Sequence, residues 1–242
     1  MIRKTTLNAL LFCISAFLHL HAQIASPSGT VLEENSSAVE EENTLYAGDS
    51  YTASAPLKMR FEANINEQAG YTYAYEWIIY PADKPDSPLL RRFEADTEYT
   101  FYDSGTYGVK LHISYSESGN DVQMEEEFDP IMIVISESSL KVPNAFSPNG
   151  DGINDVFKVT YKSLVKFNAY VFNRWGKRIY EWNLSNIDDG WDGTYNGKQV
   201  KDGVYFIVVQ AKGSDGINYE IKRDINILRG YLNESSSGSY VE

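Results

Sequence analysis

The sequence predicts an all-β protein built as two tandem β-sandwiches, and three observations lead there. Aromatic residues make up 14% of the 242-residue chain, with 18 Tyr among them, and aromatic side chains favour the half-buried pleated surface of a sheet. Apolar residues recur with period two in several stretches, which places them on one face of a strand. Asn-Gly and Asp-Gly pairs punctuate these stretches, and such pairs adopt hairpin-turn backbones at low cost. A chain of this length, 43% hydrophobic, is long enough to bury two small cores.

Taken in order, the chain opens with Arg3 and Lys4 ahead of an apolar run from Leu7 to Leu20, and Ala22 supplies a small residue before Gln23. This pattern predicts a secretory signal peptide over residues 1–22, the run being too short for a spanning helix. Cys13, the single cysteine, and His19 and His21 lie within it. The mature chain would then have no thiol and only His112 as histidine. Residues 23–48 are rich in Ser and Glu without periodicity, which predicts a disordered acidic leader.

From Leu57 the pattern changes: Leu57, Met59, Phe61 and Ala63 alternate with polar residues. Tyr71, Tyr73, Tyr75, Trp77 and Ile79 share one face of the next strand, a spacing that fits core packing better than a sugar-binding platform. Pro81, Pro85 and Pro88 interrupt the chain, and Leu89 to Phe93 reads as a short edge strand. Thr106 to Tyr115 alternates again with His112 outward, Glu125 to Glu127 reads as a solvated edge, and Ile131 to Ile135 closes the set. Six or seven short strands over residues 49–136 match an immunoglobulin-like sandwich. The stretches APLKMRFEAN, YEWIIY and FYDSGTYGVKLHISYSESGN resemble a polycystic-kidney-disease-type (PKD) repeat, although a Pro-Asp loop replaces that family's short turn after Trp77.

A short polar joint at residues 136–140 leads into VPNAFSPNGDGINDVF, Val142 to Phe157, and a second domain over 137–230. Its expected strands are Val156 to Tyr161, Lys166 to Asn173, Ile179 to Trp182, Val204 to Gln210 and Tyr219 to Leu228. Residues 231–242 read as a flexible polar tail. Four stretches in order, VPNAFSPNGDGINDVF, FNAYVFNRWGKRIYE, GWDGTYNGKQVKDGVYFIVVQ and INILR, closely resemble the gliding-motility-associated C-terminal domain of Bacteroidetes, the type B sorting domain of the type IX secretion system. The resemblance implies a second β-sandwich that directs passage through the outer membrane after a signal peptide has delivered the chain to the periplasm. It assigns Pro148, Asn149, Gly150, Asp151, Gly152 and Asp155 to the first loop, and Arg174, Trp175, Gly176, Trp191, Asp192, Gly193, Gly203 and Tyr205 to turns and core. Such domains usually end close to the Leu-Arg pair, whereas this chain runs on past Arg229.

Charge and chemistry narrow the function. The formal net charge of −13 is uneven: residues 137–242 carry 13 Lys+Arg against 13 Asp+Glu, while residues 49–136 carry 6 against 16. An acidic front half argues against nucleic acid and against an anionic membrane surface. Ser147, Asn149, Asp151 and Asp155 fall at positions 1, 3, 5 and 9 of an EF-hand count, with Gly152 at the turn, but Lys158 stands where a bidentate Glu should close the site. Asn149, Asp151 and Asp155 are therefore either a weak calcium site or side chains that cap the loop's own backbone. No other cofactor is expected. Asp189 and Asp192 flank Trp191 as turn formers rather than as a glycosidase carboxylate pair, and a lone His112 completes neither a triad nor a zinc site. The expected protein is a non-enzymatic surface protein exported through the periplasm to the cell surface or outer-membrane exterior. Its expected partners are translocon or shuttle components of the outer membrane, with a protein or glycan ligand for the front module. The competing expectation is an accessory subunit that stays with the secretion or gliding machinery.

Overall fold

The computed structural model describes residues 24–32, 44–120 and 122–230. The signal peptide and the tail expected at 231–242 lie outside them. Two β-sandwiches follow one another, each with its own core.

In the front sandwich, β1 (Ser28–Val31), β2 (Thr44–Tyr46), β4 (Leu57–Glu62) and β7 (Asp96–Phe101) form one sheet in the order β2-β1-β4-β7. The facing sheet runs β3 (Ser50–Ala53), β10 (Ile131–Ile135), β8 (Gly105–Glu117), β5 (Tyr71–Pro81), β6 (Leu90–Arg92), with β9 (Gln123–Glu127) paired to β8. Alternation decides which residues face inward: Leu57, Met59 and Phe61 are buried in β4, Val109, Leu111 and Ile113 in β8, and Ile131, Ile133 and Ile135 in β10. The tyrosine stripe of β5 is core only at its far end. Trp77 and Ile79 are buried, whereas Tyr71, Tyr73 and Tyr75 are half-buried, with Tyr73 stacked 6.1 Å from Tyr115.

One expectation is corrected. The leader expected over 23–48 does not begin the fold at 49: Ile24 and Ala25 are buried, β1 pairs with β4 from Ser28↔Glu62 to Val31↔Met59, and β2 pairs with β1. Small residues of low hydrophobicity gain a place there because β4 offers them a free ladder of N–H and C=O groups. The Glu125 to Glu127 run is the solvated edge expected: it lies in β9, which pairs with β8 on one side only, with Glu127 bonded to Lys110 and Glu125 3.9 Å from His112 Nε2. Alternation turns Glu125 and Glu127 outward beside those bases.

The second sandwich has β11 (Ser139–Lys141) against β13 (Thr160–Lys162), a small hairpin of β16 (Thr194–Tyr195) and β17 (Lys198–Gln199), and one five-stranded sheet. That sheet runs β12 (Ala145–Phe146), β19 (Asn218–Ile227), β18 (Gly203–Gly213), β14 (Leu164–Phe172), β15 (Arg178–Asn183). Its plan repeats the front one: a short first strand lies parallel to the last strand, β3 on β10 and β12 on β19, and the rest is antiparallel. Both domains also carry a tyrosine corner, in which Tyr107 Oη donates to Asp103 O and Tyr205 Oη to Lys201 O, each at 2.8 Å. This contact marks immunoglobulin-like sandwiches.

The two domains are bonded to each other. Buried Ser163 accepts from Ala55 N through its hydroxyl (3.2 Å) and from Ser214 N through its carbonyl (2.9 Å), and Ser104 N donates to Ser214 O. The joint itself is held by Ser138 N and Oγ donating to the Asp215 carboxylate at 2.9 and 2.8 Å. Val165 reaches across to pack on the front core.

Candidate functional site

The opening stretch from Val142 to Phe157 folds as a loop that binds its own backbone. Asp155 Oδ1 accepts from Asn149 N (2.9 Å) and Gly150 N (2.7 Å), and its Oδ2 accepts from Gly152 N (2.7 Å). These amide donors, with Gly150 and Gly152 foremost, hold the Asp155 carboxyl below the usual aspartate range despite partial desolvation. Asp151 Oδ1 accepts from Ile153 N, Asn149 Oδ1 from Asp151 N, and Asn149 Nδ2 donates to Asp151. Of the two roles open to Asn149, Asp151 and Asp155, the geometry carries the capping one, because their oxygens face amide hydrogens. Among the described residues no group of three or more His, Cys, Asp or Glu is placed to hold a metal ion.

The motif stretches converge on Trp191. Its ring is fully buried and meets Phe146 at 5.4 Å, Tyr205 at 5.5 Å and Tyr180 at 6.3 Å. Its indole N–H donates to Thr194 O at 2.9 Å, and its backbone exchanges two hydrogen bonds with Phe157. The opening stretch, the Arg-Ile-Tyr-Glu strand, the Gly-Trp-Asp-Gly turn and the Gly-Val-Tyr-Phe strand thus share one aromatic centre. The glycines flanking Trp191 have separate reasons to be there. A Cβ on Gly190 would lie 2.5 Å from Phe157 O, and one on Gly193 would lie 3.0 Å from Pro148, both at positive φ. Asp192 caps its turn by accepting from Thr194 N and Oγ1, and Asp189 N donates to Asn186 O. Neither arrangement pairs the two carboxylates across an open cleft.

The decisive residue that sequence reasoning passed over is Arg229. It is only 7% exposed, and its guanidinium donates to Pro148 O (3.2 Å), Val200 O (2.7 Å) and the Asp202 carboxylate. It clamps the first loop to the turn that precedes Gly203. Burial pushes the Tyr205 phenol above its ordinary range, and Arg229 beside it pulls the other way. The Leu-Arg pair was visible in the sequence as the end of the last motif, but an arginine after a strand usually faces water.

Trp175 belongs to a turn and not to the core. It sits in the expected turn with Arg174 and Gly176, and its ring is 58% exposed, with the Arg174 guanidinium 4.2 Å above it. A groove of about 330 Å³ opens beside it, lined also by Lys201, Asp202, Val204 and Phe206.

Residues 140–224 match the family model described as the CHU_C type IX secretion signal domain. That match identifies a type IX secretion signal domain in the C-terminal part of the chain, which indicates export to the cell surface or beyond. No curated protein sequence matches the chain. Similar solved structures include dimeric latent PorU from Porphyromonas gingivalis, at 12% identity over 85% of this chain with a TM-score of 0.26. Chicken CNTN1 FN1–FN3 domains align at 13% identity over 75% of this chain with a TM-score of 0.24. The chain spans 20% of that PorU chain and 65% of the CNTN1 chain. No helix among the described residues is long and apolar enough to cross a membrane.

Proposed function

We propose that this protein is a non-enzymatic cargo whose front sandwich serves at the cell surface as an adhesion, stalk or interaction module. The sorting-domain match over 140–224 carries the reading, because it fixes the destination of a chain whose remaining domain is an acidic immunoglobulin-like sandwich. Such a surface suits a protein or glycan partner that is neutral or basic. The test compares full-length protein in a secretion-competent strain with a strain lacking the outer-membrane translocon, using protease added to intact cells. Cleavage only in the competent strain supports the reading, and periplasmic retention in both strains rejects it.

A second reading, an accessory subunit retained with the secretion or gliding machinery, is supported by the joint. Ser136 donates to Ala53 O of the front domain and accepts from Ser214 Oγ of the second, and Ser138 and β11 are bonded to the second domain. A protease needs an extended stretch free of such pairing, so this joint favours a sorting domain that stays attached. Purification of the protein from cells in fixed ratio with outer-membrane components would favour this second reading, and recovery of the front sandwich alone would reject it.

A further inference from the structure

Two asparagines in the chain are followed by glycine, Asn149 and Asn196, and the fold holds them in opposite ways. A glycine after asparagine leaves its main-chain nitrogen open to the side-chain amide, because no Cβ stands in the way. What else holds the two groups then decides whether they can react.

Asn149 is held at both ends of its amide. Its Oδ1 accepts from Asp151 N at 3.1 Å, its Nδ2 donates to Asp151 Oδ2 at 3.0 Å, and Gly150 N donates to Asp155 Oδ1 at 2.7 Å. Other asparagines at turns are also engaged. Buried Asn173 accepts through Oδ1 from Trp175 N (3.1 Å) and Lys177 N (3.0 Å), which fixes the turn that displays Trp175, and Asn183 Oδ1 accepts from Ser185 N at 2.9 Å.

Asn196 has none of this. With Gly197 it forms the two-residue loop of the hairpin made by β16 and β17, beyond the pairs Thr194↔Gln199 and Tyr195↔Lys198, at φ of 52° and 73°. Both residues are exposed, and a Cβ placed on Gly197 would meet nothing within 4 Å. Among the described residues no hydrogen bond engages the Asn196 amide or the Gly197 N–H. The hairpin also lies between two anchors of the core. Thr194 O accepts from the Trp191 indole, while Val200 gives its carbonyl to Arg229 and its N–H to Gly193 O.

We propose that Asn196 is a site of spontaneous covalent modification, converted to aspartate or isoaspartate with water as the co-reactant. The Gly197 nitrogen loses its proton to solvent base and bonds to Asn196 Cγ. The Cγ–Nδ2 bond breaks, the amide nitrogen takes up a proton and leaves as ammonia, and a succinimide ring closes. Water then opens either carbonyl of the ring, and nothing is oxidised or reduced. Isoaspartate adds one methylene to the main chain of a two-residue loop, so the Tyr195↔Lys198 pairing is lost and the disturbance passes to the contacts of Trp191 and Arg229.

The test incubates the purified full-length protein at mildly alkaline pH and follows both sites by peptide mass spectrometry, with isoaspartate read by methyltransferase labelling. Asn196 should convert at least tenfold faster than Asn149, because Asn149 reacts only when its loop opens. In urea the two rates should come together, since each asparagine then precedes an unheld glycine. The Asn196 rate should rise with pH, as attack by a deprotonated nitrogen requires. Asp155→Ala, which releases Gly150 N, should raise the Asn149 rate tenfold or more and leave Asn196 unchanged; the wild-type ratio stands as a test whether or not that variant folds. The isoaspartate form should melt below unmodified protein, whereas Asn196→Asp, which carries the charge without the extra methylene, should melt with it. Equal native rates at the two sites, a faster Asn149, or an Asn196 that stays intact while the urea-unfolded chain converts would each overturn the proposal.

Discussion

Replacing Arg229 by Met should unlock the C-terminal domain without opening a large cavity, and the size of the effect can be worked out from its partners. The guanidinium supplies hydrogen bonds to Pro148 O and Val200 O and an ion pair to Asp202. Losing a buried donor strands its acceptors, at about 1–3 kcal/mol for each one that water does not reach. Asp202 is about half exposed and rehydrates, so its share is small. The two carbonyls then set the total at about 3 kcal/mol. For two docked domains that unfold as one unit, this is a drop of about 6–12 °C in Tm, from the scaling for 150–250 residues. Arg229→Lys keeps the charge near Asp202 but not the fork that reaches both carbonyls, so it should recover less than half of the loss. Urea titration of both variants, followed by tryptophan fluorescence, measures the difference. A loss below about 1 kcal/mol for Arg229→Met, or equal losses for Met and Lys, would refute the clamp.

Further outcomes follow from the geometry. Trp191→Phe should cost about 2 kcal/mol, from the lost bond to Thr194 O and the volume removed beside Phe146 and Tyr205. Trp182→Phe should cost under about 1 kcal/mol, because the buried Trp182 N–H has no acceptor to lose; equal losses in chemical denaturation would contradict this. Asp155 titrates below its unfolded value, so its contribution to stability is present above about pH 4, the ordinary aspartate range, and is lost as pH falls through its folded value. The stability gap between wild type and Asp155→Asn should therefore close on acidification, and adding or chelating calcium should leave the wild-type Tm unchanged at neutral pH. A gap that widens in acid, or a calcium-dependent melt, would show that the carboxylate has another partner. Gly213→Ala would bring a Cβ to 2.0 Å from Ser138 Oγ, straining the joint by about 1–3 kcal/mol; small-angle scattering should show a larger radius of gyration, and an unchanged profile would argue against a rigid joint.

The sequence was most readable where burial is one-sided. Strands β4 and β8 were visible because Met59 and Leu111 alternate with polar residues, β10 because Ile131 to Ile135 is a continuous apolar run, and the second domain was visible through its turn pairs and motif order. Strand β7, Asp-Thr-Glu-Tyr-Thr-Phe, was missed because only Thr97 and Phe101 in it are buried. Strand β1, Ser-Gly-Thr-Val, was missed because nothing in its composition requires burial: its place is set by pairing with β4. Gly29 there sits against the Phe61 ring, where a Cβ would come within 2.9 Å, so its small size serves a contact that only the folded sheet creates. In the C-terminal domain, Trp191 was legible as core. Trp175 was not legible as surface and Arg229 was not legible as interior, because residue type predicts burial only on average. Asn173 decides the one and the cluster of carbonyls around Arg229 decides the other, and both are products of tertiary structure.

The central claim is that residues 137–242 are an address. Fusing them behind a signal peptide and a periplasmic reporter tests it most directly, with the reporter's accessibility to externally added protease as the readout. The reporter should appear at the surface of secretion-competent cells and remain in the periplasm of translocon-deficient ones. A reporter that stays in the periplasm of competent cells, while carrying a folded C-terminal domain, would contradict the claim.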